Sequence, residues 1–547
     1  MPDNRPDNRT DVLIVGAGMA GLTAAVFLAW HGLRPVLVER HPQELVHPRA
    51  RGINARSVEV FRQAGLEERL FAARGEGIVA SDADSSRMLM ARTLADRDVD
   101  FVDLATGSAD GVSPTEWCPI DQDRLEVILR ERARELGADV RYGVELTALT
   151  PRPDGVTARV REAAGGAEYT VEAAYVVAAD GQRSTVRRLL DIPVEGPGVL
   201  LDTLSMVVEA DIEEVVAGRR FGFAYLGSPR QGTVIFPHDG KNRWCFGVPF
   251  EPRKGETVAD YPAERCLELF REAVGLPELD GRLVPQLPDG TEVLPFAIGA
   301  YCAERFVHGR VLLAGDAARI VPPTGAFGGS TGIQDAHNLA WKLAAVVKGE
   351  AGPGLLESYD AERRAVSEFT MEQAMAQMVW RTGTTASDEV DGMRLWDWWS
   401  VILGYRYRSG AVVPDPADGA DDGLPAVETG RLSAQPGTRA PHLATGAGTS
   451  TLDLYGRNFA LVAGRSGATW AASVLRACDE LDVELDFYLA GFDLDVPTAQ
   501  WAERHGVRDD GAVLVRPDGF VAWRSRTGAD PDGDRLVAAL TRVLARD

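Results

Sequence analysis

Three short stretches hold residues whose type and spacing could do chemistry. The first is Gly16-Ala17-Gly18-Met19-Ala20-Gly21, preceded by the apolar run DVLIV and followed by a helix-forming segment. Glycines at that spacing let a chain turn tightly from strand to helix and bring backbone N–H groups against a pyrophosphate. Glu39, at the end of the next apolar run, is placed to accept hydrogen bonds from a ribose, and its charge repels a 2′-phosphate. The tightly held dinucleotide is therefore expected to be FAD or NAD and not NADP. The second stretch, AADGQRSTVRR, holds Asp180, Gly181, Arg183, Ser184 and Arg187 after another apolar run, where a carboxylate and clustered arginines can position a polar group. The third is LLAGDAARIVPPTGAFGGSTGIQDAHNLAWKLA, from Leu312. Asp316 ends a buried run and can bind sugar-like hydroxyls. Pro322-Pro323 stiffens the chain, and Gly325, Gly328 and Gly329 allow close approach at a helix start. The free N–H groups and partial positive charge there suit the negative edge of a reduced flavin. The two glycine loops are read as gripping the two ends of one long cofactor.

The elements that must position these groups follow from pattern. Residues 11–15, 35–39, 173–181 and 310–316 read as buried strands, the first joined to the second by a helix over 19–31. This is the start of a doubly wound α/β sheet. Amphipathic helices are expected over 53–75 and 121–137, and long helices over 328–348 and 355–381. Between 195 and 300 the texture changes to short aromatic or alternating runs bounded by Gly, Pro and Asp, the mark of an inserted antiparallel sheet. The expected division is a disordered arm over 1–10 and an FAD-binding domain with a helical extension over 11–194 and 301–408. A substrate-binding sheet domain over 195–300, a linker over 409–431 and a small α/β domain over 432–547 complete it.

Bulk properties narrow the function classes. The chain has 547 residues, 45% hydrophobic and 25% charged, and a formal net charge of −23. That charge argues against nucleic acid and anionic membrane surfaces as partners. The five cysteines form no CxxC, so a disulfide framework or structural zinc is not expected, and the cytoplasm fits as compartment. No metal site is expected. The polar start MPDNRPDNRT lacks a signal-peptide core.

In their order and spacing, the three motifs resemble the p-hydroxybenzoate hydroxylase family of FAD-dependent aromatic monooxygenases, over residues 11–380. The resemblance implies FAD held by Gly16, Gly18, Met19, Ala20, Gly21, Glu39, Arg40, Arg49, Gln122, Asp180 and Asp316, with Pro323, Gly328, Gly329 and Ser330 facing the flavin. It implies NADPH or NADH as a transient co-substrate without its own Rossmann domain, and O2 as oxidant. The activity implied is hydroxylation of a phenolic ring through a flavin C4a-hydroperoxide. Two positions depart from the family pattern: Arg319 stands where histidine is usual, and Ser330 where asparagine is frequent. Residues 432–547 resemble the thioredoxin-like tail of larger members, which often act on polycyclic aromatic polyketides or related natural products. The tail has no CxxC, so structural support or dimerisation is its expected role. The chain is expected to be a monomer or homodimer that binds a small aromatic substrate.

The substrate is expected between the flavin and the inserted sheet, with Phe221, Phe223, Tyr225, Phe236, His238, Phe246 and Phe296 as lining candidates. His238 is the one titratable group among them, suited as a base for a phenol. A flavin halogenase is set aside: Trp396-Asp397-Trp398 lies after the flavin loop and lacks the Ile-Pro that should follow. Baeyer–Villiger oxygenation on the same fold, and a non-catalytic FAD-fold scaffold or ligand carrier, stay open as alternatives.

Overall fold

The computed structural model describes residues 8–43, 50–74, 87–103, 111–238, 242–287, 289–382, 393–446, 448–528, 530 and 533–546. Most of the arm expected over 1–10, and Arg49, lie outside them.

The doubly wound reading holds at the centre of the molecule. Five strands run parallel in the order Val311–Leu313, Glu168–Ala178, Arg9–Val15, Pro35–Glu39, Asp139–Tyr142. Their side chains are apolar on both faces because helices cover both faces. Leu13, Ile14, Leu37, Val177 and Leu312 are fully buried, together with Leu22 and Phe27 of the helix Met19–Trp30 and Leu339 of the helix Gly328–Lys348. The hairpin Val144–Arg152 with Gly155–Glu162 continues the sheet antiparallel from Glu168–Ala178.

A nine-stranded, mostly antiparallel sheet forms the second layer system. It takes the strands expected between 195 and 300, and also Arg87–Ala91 and Asp100–Asp103 from earlier in the chain. One face packs on the helix Ala263–Val274 through Leu204, Met206, Ile235, Phe246 and Phe270. The other face looks toward the FAD-binding elements.

The last unit is a four-stranded sheet, Leu485–Leu489, Phe459–Ala463, Ala512–Val515, Val521–Ser525, flanked by the helices Trp470–Leu481, Thr498–His505 and Asp534–Val543. The segment expected as a linker is firmly packed. Ala411, Val412 and Ala426 are buried, and the Val413 N–H donates to Ala522 O at 2.8 Å. Its Gly, Pro and Asp residues alternate with these anchors, which composition alone conceals. None of the five cysteines forms a disulfide. Among the described residues no helix is long and apolar enough to cross a membrane, and no acidic, His or Cys cluster could hold a metal.

Candidate active site

Register brings the motifs together. Val15 pairs with Val38 on one side and Ala178 on the other, and Ala178 pairs with Leu313. Four strands therefore end level, and Gly16, Glu39, Asp180 and Asp316 leave from one carboxyl edge, where doubly wound sheets bind ligands. Gly16 has φ +103°, and a Cβ there would meet Ala179 O at 2.4 Å. A Cβ on Gly21 would meet Gly16 O at 1.9 Å. These two glycines make the turn possible. Gly18 differs: a Cβ there would find nothing nearer than Glu126 Oε1 at 3.9 Å, so its backbone borders open space.

The helix Met19–Trp30 opens with no side-chain cap and no acidic residue in its first turn, and so does the helix Gly328–Lys348. Both N-termini are left with N–H groups for an outside acceptor. They touch each other's loops. A Cβ on Gly329 would lie 2.6 Å from the Met19 methyl, and one on Gly315 would lie 2.7 Å from Ala20 Cβ.

The acidic groups divide by environment. Glu39 Oε2 accepts the Ala17 N–H at 2.8 Å, and Oε1 accepts the His41 N–H at 2.9 Å. A carboxylate has further lone pairs, so acceptance from a ribose stays open to it. Asp180 Oδ2 accepts the N–H groups of Thr185 (2.7 Å) and Val186 (3.1 Å), while its buried Oδ1 has no hydrogen-bond partner. Asp316 is exposed at the edge, and Arg40 is exposed beyond Glu39. Gln122 is buried, its Oε1 accepting the Ala50 N–H at 3.3 Å and its Nε2 donating to Glu126 Oε1 at 2.6 Å. The orphaned Asp180 oxygen, the open space at Gly18 and two uncapped helix starts along one edge fit a dinucleotide with an extended polar spine.

The flavin-side loop is shaped from behind. Gly325 has φ +85°, with Phe327 packed where a Cβ would stand. Pro323 is exposed, and Gly328 and Gly329 are half-buried. Ser330 is buried and its Oγ accepts the Asn54 N–H at 3.1 Å. Its hydroxyl oxygen thus ties two helix starts together.

Of the seven lining candidates, Phe223, Tyr225 and Phe236 stand half-buried on the sheet face toward the FAD-binding elements, with Phe223 and Phe236 ring centroids 5.0 Å apart. Arg51 reaches over this face, its guanidinium 5.9 Å from the Phe236 ring and hydrogen-bonded to Pro237 O (2.7 Å) and His238 O (2.8 Å). His238 closes the strand Thr233–Pro237, its N–H donating to Arg243 O at 2.9 Å. Phe296 is 49% exposed and shares this face through its pairing with Thr203. Phe221 and Phe246 are corrections. Phe246 points to the opposite face, edge-on to Phe270 at 5.3 Å. Phe221 precedes the strand Phe223–Leu226 and is buried in the same core. Strand alternation separates two faces without saying which is covered by a helix.

Sequence reading missed Arg381. It ends the long helix Glu357–Thr382, is 5% exposed, and sits 5.9 Å from the Tyr225 ring centroid. It hydrogen-bonds Gln377 Oε1 and makes no ion pair among the described residues. Only the fold brings it opposite Tyr225. Below it, Met371, Met375, Val321 and Ala300 form an apolar cluster.

Comparison with known proteins gives the family. A family model described as FAD binding domain matches residues 9–374, and one described as aromatic-ring hydroxylase, C-terminal, matches 433–546. A putative polyketide hydroxylase of Streptomyces halstedii is 40% identical, covering 98% of each chain. The aklavinone 12-hydroxylase of Streptomyces purpurascens is 36% identical, over 99% of this chain and 100% of its own. A solved ternary complex of aklavinone-11 hydroxylase with FAD and aklavinone superposes with TM-score 0.87 at 35% identity, over 98% of this chain and 99% of that one. From the first strand of the doubly wound sheet to the last helix of the four-stranded unit, the chain belongs to the FAD-dependent aromatic hydroxylases.

Proposed function

We propose that the protein hydroxylates a phenolic ring of a polycyclic aromatic natural product, of the polyketide type, using NADPH or NADH and O2. The observation that carries the substrate class is the broad face of Phe223, Tyr225 and Phe236, with Arg51 and Arg381 set against it. A fused ring system offers the flat apolar area that such a face covers, and a phenol oxygen is a suitable acceptor for the buried Arg381 Nε, which has no hydrogen-bond partner. The names of relatives that act on aklavinone and tetracenomycin support the same class.

FAD, when bound, supplies oxygen activation with electrons taken from the nicotinamide. The chain supplies the rest. Gly16, Gly18 and Gly21 would seat the pyrophosphate and Glu39 would hold the adenosine ribose; Asp180 and Asp316 would hold the sugar-alcohol chain, and the backbone from Pro323 to Ser330 would receive the ring. The nine-stranded sheet excludes water above the reacting carbon, and Tyr225 with Arg381 orients the phenol oxygen. The protein works as a monomer or homodimer, with the four-stranded unit as structural support. The domain limits we propose follow the sheets: the substrate domain takes 87–103 in addition to 195–300.

The test is incubation of the FAD-loaded protein with NADPH or NADH and a panel of polycyclic phenols under ¹⁸O₂. One product carrying a single labelled oxygen on a ring carbon supports the reading. Label in a newly formed lactone would instead establish Baeyer–Villiger chemistry.

A further inference from the structure

Arg319 stands where the resembling family usually has histidine, and the structure gives it a specific task. Its side chain is fully buried. Nη2 donates to Gly328 O at 3.0 Å, at the start of the helix behind the flavin loop. Nη1 lies 3.4 Å from Asp335 Oδ2. The same Asp335 oxygen accepts the Gly315 N–H at 3.2 Å, and Oδ1 accepts Arg363 Nε at 2.8 Å. Arg363 in turn donates to Thr331 O at 3.2 Å and to the Tyr407 hydroxyl at 3.0 Å. One carboxylate therefore pegs both ends of the loop from Gly315 to Thr331. It is also shared between two buried guanidiniums, and Arg319 Nε and Nη1 find no hydrogen-bond acceptor. Two buried guanidiniums thus share one carboxylate, behind the N-terminus that faces the flavin.

We propose that Arg319 is a positioning residue with two separable effects on bound flavin. Its hydrogen bond to Gly328 fixes the loop that receives the ring. Its charge adds to the helix N-terminus and favours the negative charge of reduced flavin, which raises the reduction potential. Coulombic effects are large where the medium is poorly polarisable. The inference rests on the FAD reading of the site.

Two variants of the full-length holoenzyme separate the effects. Both leave Asp335 paired with Arg363, so neither strands a buried carboxylate. R319Q removes the charge and, its amide ending two bonds short of the guanidinium nitrogens, the bond to Gly328 as well. R319K keeps the charge but lacks the planar fork that spans Gly328 and Asp335. The readouts are the midpoint potential against reference dyes and the FAD dissociation constant. R319Q is expected to shift the potential to more negative values and to weaken FAD binding as R319K does. R319K is expected to weaken FAD binding about tenfold, the equivalent of one hydrogen bond, with the potential held. The proposal is overturned if R319Q leaves the potential in place, or if R319K moves it as far as R319Q does. Failure of the wild-type protein to bind FAD would overturn the FAD reading itself, a separate outcome.

Discussion

A Cβ on Gly315 would lie 2.7 Å from the Cβ of Ala20, so the late aspartate-bearing turn and the first helix of the glycine fingerprint are in direct contact. Gly315 also has φ +62°. Gly315→Ala should cost about 1–3 kcal/mol from overpacking and backbone strain. Because the contact joins the two halves of the cofactor groove, the variant should purify with much less FAD per chain than wild type. Absorbance at the flavin band against total protein measures this. Full occupancy would show that the two turns move independently.

Gly18 and Gly21 should respond differently to the same added methyl. At Gly18 it enters open space; at Gly21 it meets Gly16 O at 1.9 Å. Gly18→Ala should therefore leave the unfolding temperature of the apoprotein unchanged while weakening FAD at least about tenfold, the cost of pushing one backbone contact away from a phosphate. Gly21→Ala should lower the unfolding temperature itself. Equal melting losses in the two variants would argue against a ligand at Gly18.

Arg381→Met keeps the apolar stem and removes the donor beside Tyr225. The KM for a phenolic substrate should rise about tenfold, the equivalent of one lost hydrogen bond, with FAD affinity unchanged. Steady-state kinetics on the preferred phenol decides it. An unaltered KM removes Arg381 from the substrate's surroundings.

The four-stranded unit is welded to the FAD-binding elements by buried charge. Arg516 reaches Glu362 at 2.6 Å and pairs with Asp518, and Lys342 Nζ lies 2.7 Å from Glu362, all essentially without solvent exposure. Arg516→Met should destabilise the protein by about 3–5 kcal/mol, because it leaves carboxylates buried without their partner. Burial opposes ionisation of Glu362, but Arg516 and Lys342 outweigh it and hold its carboxyl well below the ordinary 4.5. A depressed carboxylate contributes stability that is present above its unfolded pKa and is lost as the pH falls through its folded one. Glu362→Gln should thus lower the unfolding temperature at neutral pH and flatten its decline below about pH 4.5. Thermal melts from neutral to acid pH measure both. A decline as steep as wild type's would place the acid sensitivity elsewhere.

What the sequence made legible was local. The strand Pro35–Glu39 and the helix Gly328–Lys348 fall where their patterns put them, because an apolar run bounded by charge and a glycine-led 3.6-residue period are self-contained signals. The motif residues were legible for the same reason. The strands Arg87–Ala91 and Asp100–Asp103 were not, since Arg87–Ala91 joins the inserted sheet through Phe223–Leu226, far along the chain, and Asp100–Asp103 only pairs back on it. Phe246 carried the right residue type on the wrong face. Arg381 carried no motif at all: at the end of a long helix, its meaning comes from Tyr225 on another sheet.

The central claim is that one edge of the doubly wound sheet holds a flavin that waits for a phenol. Anaerobic mixing of the FAD-loaded protein with NADPH, then NADH, with and without polycyclic phenols, tests it most directly through the oxidised-flavin absorbance. The account predicts bleaching that one phenol accelerates strongly. Bound flavin that neither nucleotide reduces, with any phenol present, would contradict it.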